Sequence, residues 1–366
     1  MANPTRPPAN PFVAAVRRLY NPLGFSKGYN FVLWFITTGY LFGFTLARLQ
    51  YLSFHGVFCN PANRGATGAA PGECFYYLRN PYKIGMMLHL FTILPAGLLV
   101  VLQFVPIIRH KALLVHRLNG YLVILLSLVS SAGVLIILPH AFGGDFAAQT
   151  WGGAMVLSTT LAYVLAYVNI KLLQIEQHRA WMLRAWAYFS TIVTIRMIQF
   201  SAGAIISLLG TWHVQRPCAQ IDSIWGPHNT LRAYPACAAY YDGTEPDQRV
   251  VVTAGFPNGS PVEISAALGI TFGAAGWVAW WLHAIIIEVY LRMTPAESER
   301  LRQVSYERQL SRGFTRPGSA GLVAERFGDA HPYVPLARSM ASSGRGEYVE
   351  MVPKAAGQPD AEAASF

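Results

Sequence analysis

Apolar residues in this chain come in unbroken runs rather than in strict alternation. Six runs are long enough to cross a hydrocarbon core, which takes roughly 20 residues of helix. They cover about 30–50, 84–108, 117–139, 152–174, 182–210 and 263–291. No period-2 strand pattern competes with them. The pattern predicts an all-α, polytopic membrane bundle of about six transmembrane helices with a soluble C-terminal tail. Its divisions are a cytosolic segment at 1–29, the membrane domain at 30–291, a juxtamembrane helix at 292–312 and a disordered stretch at 313–366. Thr294-Pro295-Ala296-Glu297 has the spacing of a capping box at the start of that juxtamembrane helix. Beyond it the chain is rich in Gly, Ser, Ala and Pro with no apolar period.

Composition supports this division. Hydrophobic residues make up 53% of the chain and charged residues only 13%, about half the charge of a typical soluble domain. The net charge of +10 does not point to nucleic acid, because no basic cluster is interleaved with aromatics. The basic residues instead mark connections. Arg109, Lys111 and Arg117 flank one, Lys171, Arg179 and Arg184 flank another, and the 141–151 connection has none. The positive-inside rule turns the first two toward the cytosol and leaves both termini cytosolic, in a plasma membrane or endomembrane.

Cysteine placement agrees with this orientation. Cys59 and Cys74 fall in the first outward connection, and Cys218 and Cys237 in the last. Disulfides persist in oxidising compartments, and the shortest closures pair Cys59 with Cys74 and Cys218 with Cys237. Asn258-Gly259-Ser260 is a glycosylation sequon in the same last connection, with Pro261 directly after it. Gly39 and Gly43, and Ser265, Gly269 and Gly273, form small-residue faces that suit close helix packing.

Ionisable residues within spans raise functional hypotheses by default. Here they are His89, His116, His140, His178, Arg196 and His283. His116-Arg117 and His178-Arg179 open two helices of the same direction, so the two imidazoles share a depth. Paired in that way they would ligate the iron of one haem b. His89 and His140 offer a second, weaker pair toward the outer side, and His283 a substitute ligand. Interfacial His and Arg also serve simply to meet lipid headgroups. Arg196 follows His178 by 18 residues, five turns of an unbroken helix, which puts both on one face. A buried Arg calls for an anion, and the spans offer few acids: Glu288 lies near the opposite face and Asp145 in an outer connection. A haem propionate, a phosphate or a substrate carboxylate would serve instead. Gln103 follows His89 on a similar face and suits a hydrogen bond inside the bundle.

The residues Leu88-His89, Gln103-Phe104, His116-Arg117-Leu118-Asn119-Gly120-Tyr121 and His178-Arg179-Ala180-Trp181-Met182-Leu183-Arg184, followed by Arg196, resemble the DUF2306 family of predicted membrane proteins. That resemblance covers about 85–200 and implies a membrane domain without an assigned reaction. The paired histidines are also similar to those of cytochrome b561-like haem proteins, although the fourth span carries no His. Three readings follow. One is a haem-binding transmembrane redox protein. Another is a membrane-embedded enzyme or accessory protein acting on a hydrophobic metabolite. The third is a transporter or a non-catalytic membrane component. The lipid bilayer and a hydrophobic small molecule are the expected partners.

Overall fold

The structure is a computed structural model that describes residues 10–62 and 68–335. It is helical, and among the described residues six helices are long and apolar enough to span a membrane. An amphipathic helix α1 (Pro11–Tyr20) precedes α2 (Gly28–Arg48). Then come α3 (Tyr82–Gln103), α4 (Leu113–Ile137), α5 (Phe146–Lys171), α6 (Ile175–Phe189) and α7 (Thr191–Leu209). After strands β1 (His213–Pro217) and β2 (Arg249–Thr253), α8 (Pro261–Arg292) makes the last span and α9 (Pro295–Ser311) follows it.

The fifth span is broken. Its two parts, α6 and α7, separate at Ser190, with neither Pro nor Gly to announce the break. The expectation that His178 and Arg196 share one helical face assumed an unbroken helix, and that premise does not hold across Ser190.

The chain divides into two compact units. The first holds the described residues up to Val164 together with Trp181–Met293, and the second holds Leu165–Ala180 together with the described residues from Thr294.

In the first unit, α3 and α4 approach closely because Gly133 has no side chain. A Cβ there would strike the Gly85 carbonyl and the backbone of His89. Gly273 of α8 is packed in the same way against Ala147 and Ala148. Gly39 and Gly43 behave differently from the sequence expectation, since nothing lies within 4 Å of a Cβ built at either. The start of α8 is fixed by a capping box: Glu263 N donates to Ser260 Oγ at 3.3 Å, and Ser260 N donates to Glu263 Oε2 at 2.7 Å. The sequon serine is therefore a helix cap in the structure. Thr294, by contrast, makes no side-chain capping bond to α9, and Glu297 pairs with Arg300 at 2.8 Å.

Both disulfides form within their own connections, Cys59–Cys74 and Cys218–Cys237, with Cα atoms 5.5 and 5.6 Å apart. The 210–260 connection, which the apolar pattern leaves as a loop, is folded. It holds the antiparallel pair β1–β2, in register from His213↔Thr253 to Pro217↔Arg249, and short helices at Cys218–Trp225 and Pro227–Ala233. Its core consists of Cys218, Ile221, Ile224, Cys237, Val250 and Val252 with Val262 and Ala266 of α8.

In the second unit, residues 313–335 pack rather than trail away. A helix forms at Ala324–Phe327, and Ser319 and Val323 are buried. The reason is the Gln309 side chain, which accepts from Gly318 N at 2.6 Å and donates to Gln174 Oε1 and Leu172 O at 2.9 Å each. The stretch expected to be disordered from 313 is thus anchored at Gly318, at Leu322, whose N donates to Asn169 Oδ1, and at Tyr333, whose hydroxyl donates to Glu299 Oε1, while 326–332 is exposed. Its remainder, 336–366, lies outside the described residues.

Candidate functional site

By alternation of the spans, the connections at 53–81, 138–145 and 210–260 meet at one end of the bundle, and in the first unit they interlock. Gln220 Nε2 donates to Gly72 O at 3.2 Å, which joins the last connection to the first. Phe142 N donates to Glu73 Oε2 at 2.9 Å, which joins the middle one to the first. Arg216, on β1, runs between Gly143 and Gly269, where a Cβ at either position would collide with its guanidinium. It donates through Nη2 to Ser265 O at 3.1 Å. The result is a cap stapled by two disulfides.

Glu73 is the acid at the centre of this cap and only 3% exposed. The same carboxyl oxygen that accepts from Phe142 also accepts from the Tyr77 hydroxyl at 2.8 Å. Burial pushes the Glu73 carboxyl above the ordinary carboxylate range. Those two hydrogen bonds and the nearby Arg216 and Arg196 guanidiniums partly oppose the shift. The partner cation is affected in the reverse sense, since burial lowers Arg216 while Glu73 raises it. Buried charges of this kind are costly unless paired, and no ion pair joins them among the described residues.

Beneath the cap lies Arg196, on the first turns of α7. Its Nη1 donates to Gln199 Oε1 at 2.8 Å, and Gln199 Nε2 in turn donates to Leu268 O at 2.8 Å. Its guanidinium sits 4.8 Å from the ring centroid of Phe142 and 5.7 Å from that of Phe272. Such stacking is attractive but supplies no counter-charge. The acids named from sequence are engaged elsewhere. Glu288 takes both Nε and Nη2 of Arg184, at 2.6 and 3.0 Å, and Asp145 caps α5 by accepting from Ala148 N at 2.6 Å. A second cation, Arg48 at the end of α2, is near enough to repel Arg196. Arg48 stacks on Phe44 and also lacks an ion pair among the described residues. Arg196 is half-buried. His89 is half-buried as well, lies in the field of Arg196 and bonds Ser130 Oγ through Nδ1 at 2.8 Å.

The other sequence-derived residues have their own surroundings. His140 stacks on Tyr76 with centroids 4.2 Å apart and bonds the Tyr82 hydroxyl through Nε2 at 2.8 Å. Burial lowers its basicity. His283 bridges Thr194 Oγ1 and Ala187 O, at 2.8 and 2.7 Å. His116 is the fourth residue of α4, in the first unit, where its carbonyl accepts from Gln103 Nε2 at 3.2 Å. His178 is the fourth residue of α6, in the second unit, and its Nδ1 faces Ala166 O at 3.0 Å. Among the described residues no group of three or more His, Cys, Asp or Glu gathers as a metal site. Glu73, Arg216 and Phe142 went unmarked in the sequence because three separate connections bring them together, and Arg48 because it ends α2 as an ordinary flanking cation. The only local hint was an acid placed next to a disulfide cysteine, Glu73-Cys74.

No solved structure matches the chain. A curated relative, "Ava biosynthesis cluster protein G" of Aspergillus versicolor, is 25% identical over 341 residues, covering 77% of this chain and 94% of that protein. Arg196 and His89 both fall within residues 86–217, and that segment matches the family model of predicted membrane proteins, DUF2306.

Proposed function

We propose that the protein is a membrane-embedded accessory protein that holds an amphiphilic small molecule by its anionic group, at Arg196. The single observation that carries this reading is a half-buried guanidinium within the spans, with a second guanidinium nearby and, among the described residues, no carboxylate in ion-pair contact with either. In a low-dielectric setting such a pair is stabilised by a bound anion. The spans around it are apolar, which suits a hydrophobic body on the anion. The Aspergillus versicolor relative bears the name of a biosynthesis cluster protein, in keeping with a role beside metabolite-making enzymes.

The test uses full-length protein in phosphatidylcholine nanodiscs, with cis-parinaric acid and its methyl ester as fluorescent probes. The acid should bind at least about tenfold more tightly than the ester, roughly 1.4 kcal/mol, and Arg196→Gln should erase that preference. Equal binding of acid and ester by the unaltered protein would overturn the reading. An absorption spectrum of the same preparation examines the haem expectation. A Soret band lost in both His116→Ala and His178→Ala would establish that prosthetic group.

A further inference from the structure

Phe142 lies in the left-handed region, at φ 53° and ψ 33°. A bulky side chain rarely adopts that conformation, and outliers of this type persist only where surrounding contacts enforce them. Two contacts do so here. The backbone N–H of Phe142 is held by Glu73 Oε2. Its ring stacks on Phe272 with centroids 4.3 Å apart and lies 4.8 Å from the Arg196 guanidinium. Glu73 is itself fixed by Tyr77 and by the Cys59–Cys74 loop closure beside it. A buried carboxyl in the first connection therefore determines where an aromatic ring of the second connection sits, and that ring covers a cation of the fifth span.

We infer that Glu73 is a positioning residue: it holds the Phe142 ring as a wall against the Arg196 guanidinium, so that access to the guanidinium from the cap depends on the Glu73–Phe142 hydrogen bond. The groups that face Glu73 are Tyr76 and Tyr77 from its own connection, Arg216 from β1 and Arg196 from α7. None of them replaces its bond to Phe142 N. The meaning of this wall for a ligand rests on the anion-binding reading, but its geometry is measurable without any ligand.

The experiment labels arginines of the full-length protein in nanodiscs with p-hydroxyphenylglyoxal and follows Arg196 by peptide mass spectrometry. Arg184, held by both oxygens of Glu288, is the internal reference. Glu73→Met removes the acceptor. Phe142→Gly removes the ring while suiting the left-handed backbone, so it keeps the fold where Glu73→Met loosens it. Each should speed Arg196 labelling about tenfold relative to Arg184, while Glu73→Gln, which keeps an acceptor oxygen, should stay within about twofold. An unchanged Arg196 rate in Phe142→Gly, or an equal rise at Arg184 in both variants, would overturn the inference. If labelling responds as expected while cis-parinarate shows no preference over its ester, the wall stands and the anion-binding reading fails. The converse result sinks the wall and keeps the anion site.

Discussion

The cap end of the first unit and the interior of the second unit both bury polar groups, and they do so in opposite ways. The second unit uses neutral amides and a hydroxyl whose valences are filled. Gln309 serves three partners, Gln174 also donates to Gly318 O at 3.2 Å, and Asn169 accepts from Leu322 N and donates to Leu165 O, each at 2.8 Å. Ser305 accepts from Ile175 N at 2.9 Å while donating to Leu301 O. The cap end buries charges, Glu73, Arg216 and Arg196, without closing an ion pair among them. A satisfied neutral network fixes a conformation. An unbalanced set of charges is a cost that a bound partner would relieve. The first arrangement holds the protein together, and the second is where a ligand has something to gain.

That contrast can be broken by substitution. The largest effect is expected for Gln309→Ala. It strands Gly318 N, Leu172 O and Gln174 Oε1 at once and should cost about 4 kcal/mol, since each buried group left unmade costs ~1–3. Limited proteolysis within 313–335 reads it directly. Opening the Cys218–Cys237 bridge, whose cysteines are 19 positions apart, should cost about 3 kcal/mol from loop entropy, visible as a lower Tm in Cys218→Ser with Cys237→Ser.

A smaller and pH-dependent effect belongs to Glu73. Its carboxyl titrates above the ordinary value of 4.5 when folded. Between the two values the unfolded chain binds fewer protons, so stability falls as pH rises through that interval. Glu73→Gln should flatten this part of the profile of Tm against pH. A stability that instead rises with pH there, and does so only when Glu73 is present, would show the carboxylate to be properly paired. The smallest effects distinguish isolated charges from networks. Glu288→Gln removes a partly exposed ion pair and should cost less than about 1 kcal/mol. Arg196→Gln should leave the ligand-free protein as stable as before, or more so, because it deletes a charge that Glu73 offsets only from a distance, without an ion pair. A loss comparable to that of Gln309→Ala would erase the distinction between the two regions.

Much of the fold was legible in the chain. Apolar runs of 20 or more residues located all six spans, because a helix crossing lipid must satisfy its own backbone and needs no partner to declare itself. Loop closure alone gave both disulfide pairings. The 210–260 connection was not legible, since β1 and β2 are separated by short helices and their pairing is non-local. The break at Ser190 was equally silent, with no Pro or Gly in α6 or at its end. At the candidate site, Arg196 and His89 stood out because charge and imidazole are rare in spans. Glu73 and Phe142 did not, because an acid in a polar loop and a Phe beside glycines are ordinary until three connections interlock. The small-residue rule worked at Gly273, where α5 comes close, and failed at Gly39 and Gly43, while Gly269 makes room for Arg216 rather than for a helix. Spacing says where helices are able to touch, and the neighbouring elements decide whether they do.

Arg216 passes between Gly143 and Gly269, and each of those glycines is needed because a methyl group there would occupy the space of the guanidinium. Three positions spread over more than 120 residues of sequence thus behave as one inherited character. In a lineage that keeps the arginine, neither glycine is free to drift. In one that loses it, each glycine keeps a second constraint: a Cβ at Gly269 would still lie 2.7 Å from the Phe142 carbonyl, and Gly143, at φ 94°, remains bound by its backbone. A change at either glycine should therefore be found only where the arginine has already been lost, and never before it.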